Sequence, residues 1–212
     1  MMTVITSSFV SGLVLTALMA WPEVPSRSDG AVLEGEVHCA SDQPKVIFVE
    51  ADELVPPGPP ARPAVLDQRR LEFVPHVLPI VAGTRVAFIN SDPFLHNVFS
   101  ASTTKLFNLG TYPTGITRYV TFDRPGPVEV LCNVHHEMLA YILVLPTHLF
   151  TLTDNTGRYR LEGLPVGKIR VTLWCKAHGV HRQALDIEGP GTRKLDWDDS
   201  GEPAARQLVF ER

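Results

Sequence analysis

The sequence has only three cysteines, Cys39, Cys132 and Cys175, in 212 residues. Three cannot build a disulfide framework, and an odd count leaves at least one thiol with another task. Positive charge is not in excess either. Nineteen Lys and Arg against 23 Asp and Glu give a formal net charge of −4, which argues against a broad basic surface and against nucleic acid as a partner. Long apolar stretches at the helical period are missing. Together with 18 prolines, their absence points to short strands joined by loops. Charge is lacking altogether from residues 1–22, and Glu23 is the first charged side chain.

That uncharged start contains "FVSGLVLTALMA" (9–20), which reads as the apolar region of a secretory signal spanning residues 1–20. "MMTVITSS" carries no Lys or Arg, and Leu18 is large for the position it would hold before a cut after Ala20. An uncleaved membrane anchor is the alternative. Either way the folded part is exported, to the periplasm or the cell exterior. Membrane contact is expected only if the segment stays attached.

From residue 31 onward the chain is β-like almost throughout. "AVLEGEVHCAS" (31–41) alternates, "KVIFVE" (45–50) is a short apolar run, and "LVPPGPPARPAV" (54–65) is a stiff exposed loop. "GTRVAFINSD" (83–92) and "ITRYVTFD" (116–123) alternate as half-buried strands do. In "RPGPVEVLC" (124–132), Val128, Val130 and Cys132 share a face, so the thiol points to the core. "LAYILVL" (139–145) is apolar on both faces, as in a strand covered on both sides. After Pro146 the pattern becomes a run of strands and turns, with a hairpin signal at "DNTG" (154–157). The expected fold is all-β: a first sandwich over residues 31–146 and a small second one over 147–212, separable in part at Pro146, with the two early strands either completing the first sheet or pairing with the C-terminal part.

The chemistry concentrates in "HNVFS" (96–100) and "CNVHHEM" (132–138). Cys132, His135 and Met138 follow C-x2-H-x2-M, and His96 arrives from a separate loop. One thiolate, two imidazoles and one thioether are the donor set of a type 1 copper centre: sulfur favours Cu(I), while imidazole accepts Cu(II). Zinc suits Cys and His, but thioether is a poor zinc ligand. A Cys–His nucleophile is the remaining alternative, poorly served by an inward-facing thiol. A buried thiol and a core methionine are the plain structural readings of the same residues.

Here "GTRVAFINSDPFLHNVFS", "FNLGTYPTG" and "VTFDRPGPVEVLCNVHHEMLAYILVL" resemble the cupredoxins, and the short ligand loop is similar to that of amicyanin. The resemblance covers about residues 70–146. It implies a Greek-key β-sandwich that carries one electron outside the cytoplasm, with His96, Cys132, His135 and Met138 as ligands of one copper ion. It further implies that the Asn97 backbone N–H supports the thiolate sulfur and that its side chain ties the two ligand loops together. His136 departs from the family pattern, which often has proline there. "TDNTGRYRLEGLPVGKIRVTLW" resembles carboxypeptidase regulatory-like domains, which implies a transthyretin-like sandwich with no chemistry of its own.

The functional expectation is therefore a non-enzymatic electron carrier with a protein redox partner. The alternative is a copper-binding or copper-delivery protein without a dedicated partner. Phe94, Leu95 and Leu139 are candidates for a docking patch, with core packing an equal explanation. Cys39 and Cys175 are expected as buried free thiols, with a bridge joining the two modules as the alternative. His148, His178 and His181 are expected as surface residues, although "CKAHGVH" leaves a second metal site conceivable.

Overall fold

The computed structural model describes residues 30–51, 54 and 58–198. The signal or anchor expected at 1–20 and part of the proline-rich loop lie outside them. The described residues form sixteen strands and no helix. In chain order these are β1 (Ala31–Glu36), β2 (Val46–Glu50), β3 (Ala64–Arg69), β4 (Glu72–Val74), β5 (Val77–Val81), β6 (Thr84–Asn90), β7 (His96–Ala101) and β8 (Leu106–Tyr112). They continue with β9 (Thr117–Phe122), β10 (Gly126–Leu131), β11 (Leu139–Leu145), β12 (Phe150–Leu152), β13 (Arg158–Leu164), β14 (Gly167–Cys175), β15 (Gly179–Ile187) and β16 (Thr192–Lys194).

The strands build four sheets, ordered β13-β1-β16, β12-β2-β14-β15, β5-β11-β10-β7-β8 and β4-β3-β6-β9. Three apolar cores lie between them. Leu33, Ile47, Val49, Leu161, Val171 and Trp197 fill the first, between the first two sheets. Phe88, Val98, Phe122, Val130, Ile142 and Met138 are in the core between the last two. A smaller third core joins the second sheet to the third, through Val46, Phe48, Val77, Tyr141, Leu143, Leu145 and Trp174.

The residue pattern explains this layering. Along β11, Ala140, Ile142 and Val144 face one core while Tyr141, Leu143 and Leu145 face another. A strand buried on both sides has no polar face, and "LAYILVL" has none. The same holds for β2, which sends Ile47 and Val49 one way and Val46 and Phe48 the other. Each such side chain taken from water contributes roughly 1.5–3 kcal/mol.

Of the two courses the sequence leaves to the early strands, the hydrogen bonds follow the second, pairing with the C-terminal part. β1 pairs with β13 and β16, and β2 pairs with β12 and β14. The second sandwich is thus made from both ends of the described chain, and the first is inserted between them as residues 64–145. Strand alternation sets which face a strand buries, not which distant strand it joins. The Cys39–Cys175 pair is a disulfide rather than two free thiols. Cys39 follows β1 and Cys175 ends β14, so the bridge staples the second sandwich internally. The disulfide indicates an oxidising, exported location.

The turn at Asp154–Gly157 forms as its residues suggest. Asp154 Oδ1 accepts from the backbone N–H groups of Thr156 and Arg158, and Gly157 N–H donates to Asp154 O. Gly157 has φ of +86°, and a Cβ there would lie 2.6 Å from Val37 O. The flanking strands β12 and β13 belong to different sheets, so the turn is a corner between layers rather than a hairpin.

Candidate metal centre

β10 and β11 are antiparallel neighbours, with Leu131 opposite Leu139. The segment 132–138 closes that hairpin at one end of the first sandwich. Cys132 continues the inward face of Val128 and Val130 into the core. Met138 reaches the same core just before β11 and is 1% exposed. Its N–H donates to His135 O at 3.1 Å, which makes the loop a compact turn. β7 lies beside β10, with Phe99 opposite Leu131, so the start of β7 brings His96 to this end of the sandwich.

His96 Nδ1, Cys132 Sγ and the ligand atom of His135 lie within 4.8 Å of one another. No other group of three or more His, Cys, Asp or Glu donors is so placed among the described residues. The two Nδ1 atoms are 3.0 Å apart, and Cys132 Sγ is 3.9 Å from His96 Nδ1. A metal bonded at about 2.0–2.1 Å to imidazole and about 2.3 Å to sulfur can be shared by donors at these separations. The donor set fits copper: one buried free thiol, two imidazoles, and a methionine in the same core as the thiol. His96 and Cys132 are buried, whereas His135 is half-buried, so one ligand edge faces outward.

The surroundings fix His96 closely. Its Nε2 lies 2.9 Å from Asp92 Oδ2, a pairing of two buried side chains. Asn90, also buried, donates from Nδ2 to Phe94 O and Tyr112 O and accepts Asp92 N–H on Oδ1, pinning the segment that leads into β7. Tyr112 OH receives Gln68 Nε2–H at 2.6 Å, and burial pushes its pKa up to about 12. Sequence reasoning missed Asp92. The only signal was an acid four residues before a ligand histidine, which is common without meaning.

Asn97 is buried near the start of β7, one residue after His96. Its Nδ2 donates to Asn108 Oδ1 at 2.9 Å, tying β7 to β8. His136 is exposed. Phe94 and Leu95 stand 53% and 54% exposed at the ligand end, and the Phe94 ring meets His135 edge-on at 6.4 Å. Leu139 instead packs against the core between the sandwiches. Val134, in the 132–138 loop, is 44% exposed. His178 and His181 are linked by a His181 Nε2 contact to His178 O and belong to no three-donor group among the described residues.

The likeness to solved structures is to copper proteins over part of the chain. A copper-containing nitrite reductase from Thermus scotoductus is 26% identical over 40% of this chain and 22% of its own, with a TM-score of 0.38. A purple cupredoxin from Nitrosopumilus maritimus is 23% identical over 39% of this chain and 99% of its own, with a TM-score of 0.36. An amicyanin mutant in its Cu(I) form is 19% identical over 50% of this chain and 95% of its own, with a TM-score of 0.37. The chain spans under a quarter of the nitrite reductase. No protein-family model matches the chain, and no curated protein is significantly similar to it.

Proposed function

We propose that this protein is an exported one-electron carrier with a single type 1 copper ion held by His96, Cys132, His135 and Met138. The observation that supports it most is the convergence of His96, His135 and Cys132 at one end of a sandwich. Copper bound there would supply a Cu(II)/Cu(I) couple.

The residues of the chain do the rest. Cys132, deprotonated, provides the soft anionic donor, and the core around it keeps water away. Met138, buried at the end of the 132–138 turn, would supply a weak thioether donor that favours Cu(I). Two sheets and the Asn90 hydrogen bonds fix the segments that carry these side chains, so little rearrangement would accompany a change of oxidation state. His135, half-buried beside the Phe94 ring, would offer the short way out to a protein partner.

Burial favours a carrier over a delivery protein. His96, Cys132 and Met138 are 0%, 4% and 1% exposed, so releasing the ion requires opening the sandwich end. Repeated oxidation and reduction in the presence of a Cu(I) chelator tests this. A carrier keeps its copper through many cycles. Stoichiometric loss on the first reduction would favour delivery.

A further inference from the structure

The turn between β3 and β4 has an unusual composition for its shape. Arg70 and Leu71 have φ of 59° and 62°, the left-handed pair of a two-residue hairpin turn that normally calls for Asn-Gly. Residues with a Cβ are disfavoured there, and they persist where surrounding structure over-determines them. The surrounding structure here is Asp92. Arg70 N–H donates to Asp92 Oδ1 at 2.5 Å, and Leu71 N–H donates to Asp92 Oδ2 at 2.8 Å. The same Oδ2 faces His96 Nε2 at 2.9 Å.

Asp92 is itself fixed on its main-chain side. Its N–H donates to Asn90 Oδ1, its carbonyl accepts Thr114 Oγ1–H, and Ser91 N–H donates to Gln68 O. The carboxylate is 4% exposed as a residue and has no freedom to turn away from the imidazole. An ionised carboxylate only accepts hydrogen bonds. It therefore requires the proton of neutral His96 on Nε2 and leaves the Nδ1 lone pair facing Cys132 and His135.

We propose that Asp92 is the positioning residue for His96 and that the Arg70–Leu71 turn, which touches no metal ligand, sets the geometry and reduction potential of the centre through it. The proposal rests on the copper reading for its potential, but its tautomer claim stands without metal. The carboxylate makes the imidazole a stronger donor and stabilises the more highly charged Cu(II) form. Loosening the clamp raises the potential.

Two turn variants separate positioning from mere stability. Arg70→Asn with Leu71→Gly keeps both N–H donors in an easier turn; it is expected to raise the unfolding midpoint and leave the potential unchanged. Insertion of Gly-Gly between Arg70 and Leu71 withdraws the donors; it is expected to raise the potential while one copper still binds, as is Asp92→Asn. In the metal-free full chain, imidazole nitrogen NMR is expected to show His96 as a single Nε2–H tautomer, and a mixture in Asp92→Asn. A mixture in the unmodified chain, or an unchanged potential in both the insertion and Asp92→Asn, overturns the proposal. Should those variants fail to fold, the metal-free tautomer of the unmodified chain still decides it. A single Nε2–H tautomer in a chain that shows no thiolate-to-copper colour would instead fault the copper reading alone.

Discussion

Tyr141 and Trp174 meet across the junction of the two sandwiches, with ring centroids 5.4 Å apart. One lies on β11, the strand that leaves the ligand loop, and the other on β14 beside the disulfide. Both are under 10% exposed, at 7% and 4%, and Lys176 Nζ lies 5.4 Å from the Tyr141 ring centroid. The sandwich that carries His96, Cys132 and His135 is thus not a free-standing unit with an appendage.

Trp174→Ala is expected to destabilise the whole chain by about 3–5 kcal/mol, the usual cost of emptying a large aromatic site. Truncation after Pro146 is expected to be worse, because it strips β1 and β2 of their partners and bares Leu143 and Leu145. Denaturant unfolding of the full-length variant and size-exclusion chromatography of the truncated chain check this. A monomeric, folded truncated chain would show that the junction is dispensable.

The junction carries a pH dependence as well. Burial, followed by Lys176, holds the His76 imidazole below its ordinary pKa, while Asp42 and Glu72 oppose the shift. His76 packs edge-on against Tyr141, with centroids 5.8 Å apart. A histidine whose folded pKa is depressed takes up its proton more readily when unfolded. Stability from this group is therefore complete above the unfolded value of about 6.5 and is lost as pH falls below it. The unfolding midpoint is expected to drop between pH 7 and 5, and to drop less in His76→Asn. Equal drops would assign the effect to other groups.

Replacing Cys39 and Cys175 by serine removes a crosslink of sequence separation 136. The expected loss is roughly 2–5 kcal/mol, felt in the second sandwich. Because none of the proposed ligands lies in that sandwich, copper stoichiometry in the folded variant is expected to stay at one, by metal analysis after gel filtration.

Much of this was legible in the residues, and the remainder was hidden for physical reasons. Cys132, His135 and Met138 are read from spacing because their donor chemistry is rare in combination. Double-sided burial of β11 shows in "LAYILVL" because no polar residue interrupts it. Pairing of β1 with the C-terminal part was legible only as one of two courses, since strands separated by more than a hundred residues carry no local mark of each other. The proline-rich stretch concealed the start of β3 at Ala64. The Arg70–Leu71 turn gave no sign because its conformation depends on Asp92, distant in sequence, rather than on Gly or Asn of its own.

Met138→Gln is expected to retain copper and lower the reduction potential, because an amide oxygen is harder than a thioether and favours Cu(II). Voltammetry reads this directly. An unchanged potential would remove Met138 from the ligand set.

The visible absorption spectrum of the Cu(II)-loaded full chain tests the central claim most directly. Cys132 is deprotonated on binding, so an intense thiolate-to-Cu(II) charge-transfer band is expected, lost in Cys132→Ala. A colourless stoichiometric Cu(II) complex of the native chain, or the same band in Cys132→Ala, would contradict the type 1 assignment.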